Sequence, residues 1–279
     1  MKVNLPGTTG SKSAASARYT APALEKGLEL LEALATEPGG MTQKALAGRI
    51  GRSVTEIYRM LSVLEHRQYV VRDALTGQYA LTLKLFELAN RHPPTRRLLH
   101  TAMPVMRELA EQTGQSCHLV VVHGNRILVV AEEQSSLPMG FAVRLGASFP
   151  FSSRYVSARV LAAMQPEVRR EELARRMIEA HEGKTGELPP LLERLWRIAE
   201  KGHDEAPSET QRGITDISYP VRDSFGTAVA ALSVPYLARL VGPEDRQSVV
   251  AALEVAASQI SRAIGGTSAE TIGRDRSRV

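Results

Sequence analysis

Residues 42–72 carry six lysines and arginines against two acids. Within that stretch Arg52, Ser53, Thr55, Tyr58 and Arg59 lie close enough to share the outer face of one helix start. Arginine can bond guanine edges or phosphate, whereas Ser, Thr and Tyr mostly bond phosphate. Lys44 and Arg72 flank the set and are placed to reach a nucleic-acid backbone. These residue types therefore point to duplex DNA. Competing uses are visible as well. Ser53-x-x-Glu56 fits a capping box, in which Ser53 closes a helix and Glu56 bonds backwards. Tyr58 can pack against the wing instead, and Arg49 and Arg67 read as solvated charges.

Other chemistry is sparse. There is no G-x-S-x-G elbow, no G-x-G-x-x-G and no phosphate loop. A single cysteine, Cys117, excludes an intrachain disulfide framework and any multi-cysteine zinc module, and suits a reducing cytoplasm. Beside His118 it suggests a thiol site, but its apolar strand neighbourhood favours a buried, inert thiol. His203-Asp204-Glu205 is a cluster of ligand types just after a helix stop at Gly202, and it reads as solvent-exposed. No metal and no cofactor are expected.

These side chains need a scaffold. Of 279 residues, 43% are hydrophobic and 23% charged, as in ordinary soluble globular chains. Residues 1–91 hold 12 basic and 8 acidic residues, so most of the net charge of +5 sits in the first third. That pattern suits a polyanion-binding module followed by a near-neutral domain. The longest apolar stretch, 227–241, is broken by Pro235 and Arg239, so no membrane span is expected, and the N-terminus lacks the apolar core of a secretory signal.

Residues 1–20 read as a disordered arm. Leu24, Leu28, Leu31 and Ala35 recur at helical spacing and predict an amphipathic helix over 22–36, stopped by Pro38-Gly39-Gly40. Thr42 is placed to cap a second helix over 42–50, Gly51 allows a sharp turn, and a third helix covers 54–66 with Ile57, Leu61 and Leu64 on one face. Short strands at 69–72 and 78–81 follow, joined by a turn over 73–77. Three helices and a hairpin in that order make a winged helix-turn-helix, whose second helix of the pair enters the major groove.

A helix over 83–90 is ended by Pro93-Pro94, the clearest domain boundary in the chain, and a longer one over 95–113 contains Pro104. Strands are predicted at 119–122 and 127–130, with a third at 138–144. Helices follow at 156–164, 166–181 and 189–201, then strands at 214–222 and 227–234, a helix at 243–264 and a disordered tail. The fold class is α+β. The expected domains are an arm (1–20), a DNA-binding domain (21–81), a linker helix (82–94), an effector-binding and oligomerisation domain (95–265) and a tail (266–279).

On these residues the chain resembles the IclR family of bacterial transcriptional regulators. In the first domain the resemblance rests on 23–31, the helix-turn-helix, Tyr58-Arg59-Met60-Leu61 and 76–81. Leu109-Ala110, Thr113-Gly114, His118-Leu119, Gly146 to Pro150, Leu161-Ala162, Gly213, Pro220 to Asp223, Gly226 and Ala230 to Ser233 extend it through the second. It implies a curved antiparallel sheet of GAF or profilin type with flanking helices. It also implies homodimers, often paired into homotetramers, on palindromic operator DNA. A small metabolite then alters DNA binding or RNA polymerase recruitment, as repressor or activator.

The resemblance puts the effector pocket between the sheet and the segment after Pro150. It implies a lining from Phe151 to Ser157, thus Ser153, Arg154, Tyr155 and Val156, together with Asp216, Ser218 and Ser233. Several positions depart from the family pattern. Arg154 to Ala158 replaces small residues and a Gly-Lys pair, Asp216 stands near a usual Cys, and Pro235 replaces a second Ser. Arg154 can form a bidentate pair with a carboxylate ligand, an organic acid. Tyr155 can stack on a planar group, and Asp216 can accept from a hydroxyl, amide or amine. Alternatively Arg154 and Asp216 pair with each other or with surface partners. Met139 and Phe141, two apart on the expected third strand, face the same way and can form an apolar wall of the pocket or plain core. An enzyme with a regulatory helix-turn-helix is the alternative function. It would need Ser152, Ser153, Asp216 or Ser233 to find a base, and no well-matched His accompanies them. A nucleoid-type protein is disfavoured by the large neutral domain.

Overall fold

The computed structural model describes residues 21–91, 93–180, 187–238 and 245–266. The expected arm over 1–20 lies outside the described residues, as does the tail beyond Gly266. The chain divides into two compact units, one ending at residue 92 and the other beginning at Pro93.

The first unit runs α1 (Pro22–Ala35), β1 (Met41–Thr42), α2 (Gln43–Arg49), α3 (Val54–His66), β2 (Val70–Arg72), β3 (Gln78–Leu81) and α4 (Lys84–Arg91). Local chemistry sets each boundary. The Thr42 hydroxyl accepts from the Ala45 amide at 3.3 Å and starts α2. Ser53 and Glu56 form a complete capping box at the start of α3. Gly51 turns between these helices at φ +65°. In the hairpin, Asp73 accepts from the Leu75 and Thr76 amides at 2.9 and 2.7 Å.

Leu30, Leu34, Leu46, Ala47, Ile57, Leu61, Val70 and Tyr79 fill the core. The α1 stripe differs from expectation: Leu24 and Leu28 are exposed, and the buried face is Leu30, Ala33 and Leu34. Both stripes are helical, and burial follows the one that faces α3 and β3. The two-residue β1 was not expected. It adds to the hairpin in the order β1-β3-β2. Gly40 permits it: at φ +76° a Cβ there would lie 2.7 Å from the Tyr79 carbonyl oxygen.

The second unit runs α5 (Pro93–Thr113), β4 (Cys117–His123), β5 (Arg126–Glu133), β6 (Ser148–Pro150), α6 (Val156–Ala163), α7 (Glu167–Glu179), α8 (Leu188–Lys201), β7 (Asp204–Pro207), β8 (Ile214–Arg222), β9 (Ala228–Leu237) and α9 (Arg246–Ala263). Pro93 opens α5 rather than only ending the helix before it, as suits a residue without an amide hydrogen at a first turn.

The strands form one antiparallel sheet in the order β6-β5-β4-β9-β8-β7. Side chains alternate across it. Leu119, Ile217, Tyr219, Leu232 and Val234 pack with α5 and α9, while Val120, Ile127, Val129 and Ala231 pack with α6, α7 and α8. Every residue of α6 is buried.

Two expectations fail here. The third strand is not at 138–144 but at β6. Side chains take over the backbone bonding in the preceding loop: the Ser135 amide donates to Ser116 Oγ at 2.9 Å, and the Ser135 hydroxyl donates to the Gly114 carbonyl at 2.6 Å. Secondly, His203-Asp204-Glu205 is not a solvent-exposed cluster. Asp204 is buried at the start of β7, and His203 stacks on Tyr219 with ring centroids 4.4 Å apart. Antiparallel pairing with β8 makes this segment an edge strand of the sheet.

Candidate DNA interface and ligand cavity

In the first unit the capping box decides which polar groups remain available. Glu56 Oε2 accepts from the Ser53 amide at 3.0 Å, while its other oxygen takes Lys26 Nζ at 3.0 Å. The Ser53 amide above all, then Lys26, holds the Glu56 carboxyl down at about 2. The one acid in the first turn of α3 is thus neutralised locally. The Ser53 hydroxyl is engaged in the same box, and Arg52 is drawn towards Glu29 at 3.5 Å. Lys44, Thr55 and Arg59 are exposed, and their side chains make no hydrogen bond or ion pair among the described residues. Tyr58 is 56% exposed. Arg72 lies over the Tyr79 ring at 5.6 Å, which orients the wing. Of the seven residues singled out in this unit, Lys44, Thr55, Tyr58, Arg59 and Arg72 are exposed. Ser53 acts as a cap, and Arg52 is shared with Glu29.

In the second unit a cavity of about 300 Å³ opens between the sheet and the loops over it. Its floor follows from strand register. His118 on β4 pairs with Ser233 on β9, Ser233 with Ser218 on β8, and Ser218 with Asp204 on β7. Register partners share a face, so a polar row crosses four strands of an otherwise apolar sheet. The two serine hydroxyls lie 2.6 Å apart. Asp204 receives Arg159 Nε at 2.6 Å, and Arg159 Nη1 donates to the Ser153 carbonyl at 2.6 Å. Arg159 is completely buried, and its Nη2 has no partner among the described residues.

His118 lines the cavity, and its Nδ1 is buried without a partner among the described residues. Burial pushes its pKa down to about 4, so the imidazole is neutral near pH 7. Burial also raises the Asp216 carboxyl, against the Ser208 hydrogen bond and the Arg159 charge. Apolar walls come from Val120, Ile127, Val129, Phe141 and Phe149, with Tyr155 tilted against Phe149 at a 5.3 Å centroid distance.

Among the residues singled out for the pocket, the structure brings Phe141, Tyr155, Val156, Asp216, Ser218 and Ser233 together around this cavity. Met139, Ser153 and Arg154 lie outside the lining. Met139 is 82% exposed because its segment is a loop and no strand alternation directs it inward. Ser153 contributes only its carbonyl, to Arg159. Arg154 is exposed and faces Glu209 at 3.8 Å, so it pairs neither with Asp216 nor with the cavity. Phe151 and Ser152 are buried but outside the lining as well.

The sequence reading missed His118, Arg159, Asp204 and the 208–211 connection, from which Ser208, Thr210 and Gln211 line the site. A signal existed: His118, Ser218 and Ser233 interrupt apolar strands on the same alternation. A histidine stands across from Ser233 in register. The Ser233 hydroxyl bonds Ser218, however, and no Ser–His hydrogen bond joins the pair among the described residues. Cys117 is buried, its thiol donates to the Met106 carbonyl at 3.4 Å, and burial pushes it up to about 12. That thiol is inert at neutral pH.

Known proteins place both units. A family model described as the IclR helix-turn-helix domain matches residues 23–74, and one described as bacterial transcriptional regulator IclR C-terminal matches 94–262. The chain is 30% identical over 241 residues to the HTH-type transcriptional regulator KdgR of Escherichia coli, covering 85% of this chain and 90% of that protein. It is 24% identical to the HTH-type transcriptional repressor AllR of Salmonella typhi, over 78% of this chain and 81% of that one. The crystal structure of Thermotoga maritima IclR superposes with a TM-score of 0.67 at 25% identity, covering 87% of this chain and 98% of that one. An IclR homologue from Microbacterium hydrocarbonoxydans, crystallised with 4-hydroxybenzoate, has the same fold, with a TM-score of 0.70 at 22% identity over 87% and 98% of the two chains. The chain belongs to the IclR family of bacterial transcriptional regulators, with a helix-turn-helix DNA-binding domain and a C-terminal effector-binding domain.

Proposed function

We propose that the chain reads palindromic operator DNA as a homodimer or homotetramer in the cytoplasm, through the N-terminal turns of α3. Thr55, Tyr58 and Arg59 make the contacts that carry sequence or fix register, while Lys44 and Arg72 hold phosphate. The observation that carries this reading is the state of Glu56. Its charge is taken up by the Ser53 amide and Lys26, which leaves the outward face of α3 cationic and hydroxylated. Such a face suits a polyanion, and base-edge contacts from Arg59 supply preference among sequences.

A small molecule in the cavity between β4, β8, β9 and the start of α6 is the effector. The mixture of one polar floor and one apolar wall supports this reading. The 4-hydroxybenzoate bound by the Microbacterium hydrocarbonoxydans homologue is itself polar at its ends and apolar in its body. Effector binding changes operator occupancy, or contact with RNA polymerase, only through a difference in affinity between two arrangements of the protein. The experiment is operator capture from fragments of the source genome, followed by titration of the captured duplex with a metabolite panel. Saturable binding to particular fragments, shifted by one or a few compounds, is expected. Equal binding to all fragments would overturn the reading.

A further inference from the structure

The cavity identified above as the effector site also carries information about the head group of its ligand. Among the cations near it, Arg159 lies outside the lining, bonded to Asp204 and the Ser153 carbonyl with its Nη2 left without a partner among the described residues, and Arg154 is paired with Glu209. Arg144 touches the lining but is exposed to solvent, where its field is screened. The carboxyl left facing the cavity is Asp216, beside the Ser208 hydroxyl and within reach of the Arg159 charge that Asp204 already offsets. His118 adds a neutral ring with one acceptor nitrogen and one donor. Ser218 and Ser233 share one hydrogen bond and can both still accept. The lining therefore offers several acceptors, keeps one serine proton and one imidazole proton as donors, and among the described residues holds no buried cation of its own.

A ligand carboxylate placed on this floor would stand beside the Asp216 carboxyl with no buried cation in the lining to repay its desolvation. A hydroxyl or ammonium head meets the opposite situation, because Asp216, already bonded by Ser208, gains a further donor. We infer that this cavity selects small molecules with a hydrogen-bond-donor head, a hydroxyl or an amine, on an apolar body, and that Asp216 is the residue that discriminates against carboxylates. The body lies against Val120, Ile127, Val129 and Phe149, with Phe141 and Tyr155 beside it. This inference rests on the cavity being the effector site.

The test holds the body constant and changes the head. Benzyl alcohol, benzylamine and benzoate are titrated into the full chain by calorimetry near neutral pH, and again into Asp216→Asn and Asp216→Ser. The alcohol or the amine is expected to bind at least about tenfold more tightly than benzoate, with the difference mostly lost in both variants. A preference for the amine would assign charge pairing to Asp216, and equal binding of amine and alcohol would assign hydrogen bonding; both support the inference. Benzoate binding as tightly as the others, or an unchanged order in both variants, would overturn it while leaving the cavity as a ligand site. No binding of any of the three, together with no shift of melting by a broad metabolite panel, would overturn the effector-site reading as well.

Discussion

His118 should make the second unit acid-sensitive, and the size of the effect follows from its burial. The ring is 8% exposed and titrates at about 4 in place of 6.5. The unfolded chain takes up its proton first as pH falls, so stability is lost between about pH 6.5 and pH 4 and not further below. The loss owed to this one residue is about 1 kcal/mol at about pH 5.5 and about 2–3 kcal/mol at about pH 4.5. His118→Gln keeps a donor and an acceptor but cannot titrate in this range. Its packing cost is a constant offset across pH, and acid-sensitive groups elsewhere are common to both proteins. Urea unfolding can be followed through the single tryptophan, Trp196 on α8, which reports the second unit alone. The wild-type free energy should fall more steeply than that of the variant as pH is lowered, by the amounts above. Parallel curves would refute the reasoning and would mean that the imidazole finds a partner or solvent in the folded state.

Three further outcomes are expected. Asp216→Asn should raise stability near neutral pH and not near pH 4: a folded pKa above 3.8 makes stability decline as pH rises through it, and Asn removes that decline. A variant no more stable than wild type near neutral pH would count against a desolvated carboxyl. Leu61→Ala should cost the first unit about 2–5 kcal/mol, since Leu61 is fully buried in its core, while the Trp196 transition stays in place. A smaller loss by circular dichroism would show that the site collapses around the cavity. Arg59→Ala should weaken operator binding, relax preference at one base position or lower the salt slope by about one, and leave melting unchanged. Unaltered affinity and salt slope would remove Arg59 from the contact set.

Much of the fold is legible in the sequence because its boundaries are local. Thr42, Gly51, Ser53 with Glu56, and Gly202 each act within a few residues, and the helices begin or end beside them. What was not legible depends on distant partners. The β1 strand is two residues long and exists because β3 passes beside Gly40. Asp204 looks like one more surface acid until β7 pairs with β8 and brings it to Arg159. The same holds for the cavity. Asp216, Ser218 and Ser233 follow from the family pattern, whereas Arg154 takes the surface partner that was its alternative, because arginine type alone does not fix direction. The start of α6 turns it towards Glu209. His118 was visible as a polar residue in an apolar run, but only register with Ser233 makes it part of the floor.

The central claim is that this chain recognises a particular DNA sequence through α3. The most direct measurement is repeated selection of bound duplexes from a randomised library by the purified full chain, in parallel with Arg59→Ala. Enrichment of an inverted repeat by the wild-type chain is expected, with reduced enrichment or altered base preference in the variant. Retention of duplexes without any enriched sequence, by both proteins alike, would contradict it.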